Sequence, residues 1–405
     1  MSSLGAPAAE AVPDRSPLAA TCELSIVMPC LNEADTIATC IRKARLALDS
    51  AGIDGEIIVA DNGSTDGSRE IASELGARVI EVPRRGYGEA LRAGIAAARG
   101  TFILMGDADD SYDFAELPPF VAKLREGADL VQGCRLPSGG GRVMPGAMPP
   151  SHRWIGNPLF TWLARNWFWS PVHDIYCGLR AFRKDYYESL RQRSGGMEFA
   201  TEMIIKASLD RHARIAEVPI TLHPDGRKSH APHLRTFRDG WRTLRFFLLL
   251  TPRNTFLRPG LALITLGLIG YALALPGIRI GGIRFDAHTL VFASLAILLG
   301  YQASLFAVFA KAAGVAGGLL PRDARLERWL ARITLERTLL LGGALLCVGG
   351  GLLLAGLGQW WAVEFGNLDY ARTMRWILPG ATLTALGFQT MLAGLFACVL
   401  GLAQT

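Results

Sequence analysis

Residues 99–116 read RGTFILMGDADDSYDFAE, and this stretch decides the fold. The apolar run 102–105 has the length and composition of a short buried strand, and it delivers Gly106, Asp107, Ala108, Asp109 and Asp110 to the point where that strand ends. Alternation places Asp107 and Asp109 on one side, where a divalent cation held between them and the phosphates of a ligand would balance both charges. A lone D-x-D is more often a solvated turn that caps the next helix. Its meaning therefore depends on what the neighbouring strands bring beside it.

Outward from that stretch, ELSIVM over 23–28 predicts a first strand stopped by Pro29, and Ile37, Ile41, Ala44 and Leu48 predict a helix closed by Gly52. EIIVA over 56–60 predicts a second strand, the turn-rich DNGSTDG follows, and a helix is expected over 68–75. A third strand is expected over 78–82, then RRGYGEA, then a helix over 91–98 that leads into the acidic strand. Strands alternating with helices imply a parallel sheet covered on both faces, and in such sheets ligands sit at the carboxyl ends of the strands. Those ends carry polar residues that packing does not require: Pro29, Asn32 and Glu33; Asp61, Asn62, Ser64 and Asp66; Arg84, Arg85, Gly86, Tyr87 and Gly88; and the acidic pair. Each alone has a bland use as a cap or a tight turn, and Gly86-x-Gly88 is a weak phosphate signal. Together they converge on one crevice.

The chain has 405 residues and a formal charge of +6, with an ordinary mixed composition at first and a Leu-, Gly- and Ala-dominated end. That asymmetry predicts a soluble domain followed by a membrane domain, and the basic balance suits an anionic membrane surface. With no basic-aromatic module, no nucleic-acid partner is expected. The seven cysteines, Cys22, Cys30, Cys40, Cys134, Cys177, Cys347 and Cys398, form no C-x-x-C pair, which argues against a disulfide scaffold or a zinc site and for a reducing, cytosol-facing domain. Residues 1–22, rich in Ala, Ser and Pro, lack the plan of a signal peptide and are expected to be disordered.

PCLNE, VADNGSTDGS, RRGYGEAL and MGDADD, in this order and spacing, resemble the nucleotide-binding half of the family 2 glycosyltransferases, and most of all their polyprenyl-phosphate branch of the dolichyl-phosphate mannose or glucose synthase type. The resemblance runs from about residue 23 to residue 258. It implies a GT-A fold, α/β and Rossmann-like, with a mixed, mainly parallel sheet and flanking helices over 23–232. It implies that Pro29, Glu33 and Asp61 line the base and ribose of a nucleotide diphosphate-sugar, with Asn32, Asn62, Ser64, Gly86 and Tyr87 beside them. Asp107 would contact the nucleotide, and Asp109 would hold Mg2+ or Mn2+ on the diphosphate. Mannose synthases often carry a further glutamine ligand two positions beyond the second aspartate; here that place is Ser111.

The second half of this domain is expected to see the acceptor. A strand over 130–133 leads to Cys134 and Arg135, similar to the family's G-S-R, and the Gly- and Pro-rich loop 137–150 reads as a mobile lid or an idle surface loop. Over 151–169, Arg153 and Arg165 are interleaved with Trp154, Phe160, Trp162, Trp167, Phe168 and Trp169, the pattern of a helix at a lipid headgroup interface. By resemblance Arg135 and Arg153 bind the phosphate of a lipid acceptor. Asp174 and Glu202 are expected either to orient sugar or acceptor or to serve as internal ion-pair partners, since a lipid phosphate is already an anionic nucleophile and needs no general base. Arg227 and Lys228 fall in the region that closes over the nucleotide diphosphate in the family.

Arg235, Arg238, Arg242 and Arg245, with Leu234, Phe237, Trp241, Leu244 and Leu248, predict an amphipathic interfacial helix within 233–256. Apolar stretches 257–275, 289–313, 338–360 and 377–402 each approach the roughly 20 residues that span hydrocarbon, and predict an α-helical domain of four transmembrane helices over 257–405. The arginine-rich connection after the second stretch predicts a cytoplasmic catalytic domain, and the membrane expected is a bacterial inner membrane. Small residues such as Gly342, Gly343, Gly349, Gly350 and Gly351 predict close helix packing or homo-oligomer contacts.

The function expected is inverting, metal-dependent transfer of one hexose, from UDP-glucose or GDP-mannose, to undecaprenyl or dolichyl phosphate at the lipid bilayer. A processive polysaccharide synthase ranks lower because no Q-x-x-R-W signature occurs where that family would place it. A non-catalytic lipid- or partner-binding protein is disfavoured by the retained acidic motif.

Overall fold

A computed structural model describes residues 22–228, 236–320, 328 and 334–400. The tail predicted to be disordered lies outside these residues apart from Cys22, as do Leu234, Arg235 and nearly all of the arginine-rich connection. The chain divides into two compact units, the first ending at Thr236 and the second beginning at Phe237.

In the first unit, β1 (Cys22–Cys30), α1 (Ile37–Ala51), β2 (Gly55–Asp61), α2 (Ser68–Glu74), β3 (Arg78–Glu81), α3 (Tyr87–Ala97) and β4 (Gly100–Met105) follow in regular alternation. Then come α4 (Pro118–Arg125), β5 (Leu130–Cys134), the two-residue strand β6 (Arg142–Val143), α5 (Asn157–Phe168), β7 (Arg180–Arg183), α6 (Lys184–Leu190), α7 (Phe199–Leu209), β8 (Ile215–Pro219) and β9 (Thr221–Leu222). The main sheet has seven strands in the order β3-β2-β1-β4-β7-β5-β8. It is parallel except for β7, which runs antiparallel to both β4 and β5.

Beyond Glu23, β1 is apolar up to Pro29 except for the buried Ser25, because both of its faces are covered. Leu24, Ile26 and Met28 join Ile37, Ile41 and Leu48 of α1 in one core, whereas Val27 points to α3. There Gly94 allows the close approach: a Cβ on it would lie 2.5 Å from Val27 Cγ1. The strand does not stop at Pro29 but runs on to Cys30, with Pro29 opposite Ala60. β4 leaves β1 after the Val27–Met105 pair, so the proline falls where only β2 remains alongside and its missing N–H costs little.

The loop 137–150 is folded at its start. A short 3-10 turn (Pro137–Gly139) leads into β6, which pairs with β9. A Cβ at Gly139 would lie 2.5 Å from Cys134 Sγ, and one at Gly141 would run into the Cys134 carbonyl oxygen, so these glycines serve close packing.

The second unit begins with α8 (Thr236–Leu250) and continues through α9 (Arg258–Ala274), a small hairpin of β10 (Arg279–Ile280) and β11 (Ile283–Arg284), α10 (Ala287–Ala316), α11 (Leu335–Trp361) and α12 (Tyr370–Val399). Four helices are long and apolar enough to cross a membrane: Arg253–Ala274, Ala287–Ala316, Leu335–Trp361 and Tyr370–Val399. Glycines set their contacts, as the sequence suggested, but only some of them. Gly342 and Gly349 of α11 face Gly387 and Gly380 of α12, with carbonyl oxygens 2.7 Å from where a Cβ would stand. Gly343, Gly350 and Gly351 have nothing within 4 Å. Buried hydroxyls add polar ties: Tyr271 Oη meets Ser294 Oγ at 2.7 Å and Thr382 Oγ1 at 3.0 Å, joining α9, α10 and α12.

Candidate active site

At the end of β4 the chain turns sharply. The Gly106 N–H still donates to Val27 O, and Thr36 Oγ1 donates to Ala108 O at 2.7 Å, which fixes the acidic turn against the start of α1. Asp110 adopts a left-handed backbone (φ 60°), tolerable for Asp, and its carboxylate faces Lys43 Nζ of α1 at 2.8 Å. Asp110 thus anchors the turn and leaves Asp107 and Asp109 to the crevice. Ser111 donates to Asp109 Oδ1 through both its Oγ (2.6 Å) and its N–H (3.1 Å). Tyr87 Oη donates to Asp107 Oδ1 at 2.9 Å. Burial and then the charge of Asp109 push the Asp107 carboxyl up to about 7, against the pull of the Tyr87 hydrogen bond and of Arg227.

The expected nucleotide-side residues are brought together, and many of them hold loops. Asn32, also left-handed (φ 59°), donates its N–H to Ser64 Oγ and accepts from the Thr65 N–H through Oδ1. Asp61 accepts from the Gly63 and Ser64 N–H groups, and Asn62 donates to Val82 O and Arg84 O while accepting from the Gly86 N–H. The glycines at 86 and 88 answer to packing: a Cβ at Gly88 would lie 2.7 Å from Ser194 O, and one at Gly86 would meet Gly195 O. Glu33 differs, because its carboxylate is met by the Arg227 guanidinium, with Nε at 3.0 and 2.9 Å from its two oxygens. The Lys228 backbone N–H donates to Asp35.

On the other side, Arg135 and Asp174 form a buried pair. Asp174, fully buried, accepts from Arg135 Nε (2.7 Å), Nη2 (2.9 Å) and N (3.1 Å) and from the Tyr176 N–H. Arg135 Nη1 reaches toward Tyr112 Oη at 3.4 Å. Of the two roles expected for Asp174, the ion pair is the one the geometry displays. The same holds for Glu202, which sits 2.7 Å from Lys206 Nζ and accepts from the Arg193 and Ser194 N–H groups. Burial works against the Glu202 charge, yet the Lys206 and Ser194 hydrogen bonds hold its carboxyl below the usual range. Glu202 thereby shapes the 193–196 segment that lies over the start of α3, where the Glu89 N–H donates to Gly195 O. Arg153 stacks over the Trp154 ring at 5.3 Å, and Trp154, Ile155, Leu159, Trp162 and Trp169 are all exposed.

Two contributors escaped the sequence reading. Lys43 looks like any surface lysine of an amphipathic helix. Tyr112, whose Oη accepts the Gly178 N–H, looks like core. Arg180, which stands with Asp174 and Gly178 in a stretch, DIYCGLRAFRKD, similar to the family's acceptor-side motif, is fully buried and donates to Cys177 O and Ala200 O.

Among the described residues no cluster of three or more His, Cys, Asp or Glu is disposed to hold a metal ion. The acidic pair nevertheless suits a hard divalent cation that takes its remaining ligands from phosphates and water. Asp107 and Asp109 offer carboxylate oxygens whose mutual repulsion is expressed at Asp107. Gly178 keeps the space beside Asp107 open, since a Cβ there would lie 2.8 Å from Oδ2.

A mainly parallel sheet ending in a crevice lined by carboxylates, followed by membrane-length helices, is the plan of a membrane-bound glycosyltransferase of the GT-A fold. The model of "Glycosyl transferase family 2" matches residues 25–191, and that of the "Glycosyltransferase family 2 C-terminal transmembrane region" matches residues 308–401. The chain belongs to glycosyltransferase family 2, for it is 42% identical over 337 residues to the low-salt glycan biosynthesis hexosyltransferase Agl6 of Haloferax volcanii, covering 82% of this chain and 79% of that one. A dolichyl-phosphate hexose transferase of the same organism is 32% identical over 198 residues, 49% of this chain and 82% of its own. Glucosyl-3-phosphoglycerate synthase of Mycobacterium tuberculosis, solved with Mn2+, UDP and its product, aligns at a TM-score of 0.45 and 26% identity over 57% of this chain and 80% of its own, a likeness too distant to inform the ligands here. The C-terminal region and the four apolar helices make the chain a membrane protein.

Proposed function

We propose that this enzyme transfers one hexose from a nucleotide diphosphate-sugar to a polyprenyl phosphate at the cytoplasmic face of its membrane, with inversion. The observation that carries the reading is the pair Asp107–Asp109, set at the end of β4 beside Glu33 and Arg227 in a chain that goes on into four membrane-length helices. The name of the dolichyl-phosphate relative supports the acceptor class.

In this reading the acceptor phosphate oxygen attacks the anomeric carbon from the face opposite the leaving diphosphate; one C–O bond forms, one breaks, and no base has to remove a proton. Asp107 and Asp109 would hold a divalent cation, which when bound neutralises charge gathering on the diphosphate. Tyr87 and Ser111 fix these two carboxylates so that no reorganisation is needed at the moment of reaction. Arg227, already within the donor crevice, supplies a fork for diphosphate oxygens. On the acceptor side Arg153, beside a row of exposed tryptophans suited to the headgroup zone, meets the lipid phosphate, while Arg135 and Asp174 form a buried structural pair.

The test uses full-length protein in membranes with radiolabelled UDP-glucose or GDP-mannose and a short polyprenyl phosphate. Chelator-sensitive transfer of label into the lipid phase is expected. Label in an insoluble polymer, or no transfer from a panel of donors, would refute the proposal.

A further inference from the structure

Arg227 stands where the acidic turn meets the loop that carries Glu33. Its Nη1 lies 3.2 Å from Asp109 Oδ2 and 3.8 Å from Asp225 Oδ2, while Nη2 is 2.5 Å from Glu33 Oε1. The backbone brings it there deliberately. Tyr112 bridges to Leu222, the His223 N–H donates to Ser111 O, and the Gly226 N–H donates to Asp109 O. Gly226 makes that lacing possible, because a Cβ would lie 2.9 Å from Thr36 Cγ2.

Both oxygens of Asp109 are therefore engaged, Oδ1 by Ser111 and Oδ2 by Arg227. The Arg227 side chain is only 11% exposed, so water screens it little. A divalent cation arriving alone meets a carboxylate already neutralised and a like charge at its edge. A nucleotide diphosphate changes that balance by giving the guanidinium other anionic oxygens at the same place.

We propose that Arg227 is a built-in stand-in for the divalent cation: it neutralises Asp109 and Glu33 in the ligand-free enzyme, and it leaves Asp109 for the donor's diphosphate when cation and nucleotide bind together. This rests on the metal and donor reading given above. The cation alone binds weakly, and the nucleotide strengthens it by giving Arg227 somewhere to go. By linkage the cation strengthens the nucleotide by the same factor.

The test measures binding to the full chain in detergent, with free Mn2+ followed by electron paramagnetic resonance and UDP or GDP followed by calorimetry in EDTA. Arg227→Gln, which keeps a donor for Glu33 but removes the charge, is expected to bind Mn2+ alone about tenfold more tightly and nucleotide alone about tenfold more weakly. A merely structural arginine would weaken both or neither. Arg227→Lys keeps the charge and is expected to leave Mn2+ alone within about twofold of the wild type; tightening equal to that of Arg227→Gln would overturn the stand-in. A readout in the wild type avoids any folding defect: the Arg227 Nε–H resonance, identified by its loss in Arg227→Lys, is expected to move with Mg2+ and nucleotide together and to stay with Mg2+ alone. If the wild type binds Mn2+ with nucleotide but Arg227→Gln gains nothing for Mn2+ alone, the stand-in fails and the metal reading stands. If no form binds Mn2+ even with nucleotide, both fail.

Discussion

Replacing Asp174 by Asn separates a structural carboxylate from a chemical one. Asp174 accepts four hydrogen bonds, three of them from Arg135, and is fully buried. Asparagine keeps the shape but offers one acceptor oxygen, and it turns an N–H pair toward donors while leaving the Arg135 charge uncompensated. Removing one partner of a buried ion pair costs about 3–5 kcal/mol. For a unit of this size each kcal/mol lowers the midpoint by about 2–4 °C, so Asp174→Asn should melt roughly 6–20 °C below the wild type. The assay is thermal unfolding of the full chain in detergent by circular dichroism, alongside sugar transfer measured well below either midpoint. Arg135→Met combined with Asp174→Leu removes both charges at similar volume and should recover most of the lost stability. An unchanged midpoint with transfer abolished in Asp174→Asn would refute this reasoning and put the carboxylate on the substrate.

Other predictions follow from single contacts. Asp109→Ala should abolish transfer, and excess chelator should do the same to the wild type at unchanged melting temperature; full activity in either case would remove the metal from the site. Gly88→Val should cost about 1–3 kcal/mol, because its side chain meets the Ser194 backbone oxygen, and the loss should appear in the melting curve as well as in transfer. In the membrane unit, Gly349→Leu should lower the midpoint in detergent by the same overpacking, whereas Gly350→Leu, facing open space, should leave it unchanged. Glu202 is held below its ordinary 4.5, so its contribution is fully present above that value and is lost as pH falls through the depressed value. Glu202→Gln should therefore lower stability at neutral pH and flatten the acid side of the stability profile below about pH 4.5.

The sequence made the alternating elements legible because their signals are local. The 3.6-residue spacing of Ile37, Ile41, Ala44 and Leu48, and the left-handed Gly52 that ends α1, depend on residues a few positions apart. β7 was not legible: four residues, RAFR, carry no signal for an antiparallel strand between β4 and β5, and only the register of the folded sheet assigns it. The glycines of 137–150 left two readings open for a related reason. Glycine permits mobility and close approach alike, and the partners that fix the start of the loop, Pro219 beside Gly140 and β9 paired with β6, lie far along the chain. Likewise nothing near Asn32 says that its partners are Ser64 and Thr65, more than thirty residues away.

The carboxylates around the crevice divide by what they touch, and that division carries the functional argument further than the motif did. Asp61 and Asp66 accept from the backbone of the second loop and its neighbours, Asp110 holds Lys43, Asp174 holds Arg135, and Glu202 holds Lys206 and the 193–194 backbone. Each spends its charge on fixing a loop. Glu33, Asp107 and Asp109 instead share one guanidinium, a phenol and the hydrogen-bond donors of Ser111 and Thr36. Burial and then the charge of Asp109 already push the Asp107 carboxyl up to about 7, so the cluster around this one guanidinium resists carrying its full negative charge. In the reading proposed above, a divalent cation with a diphosphate would relieve that strain while giving Arg227 a second partner, which ties the carboxylate cluster and the arginine to one device.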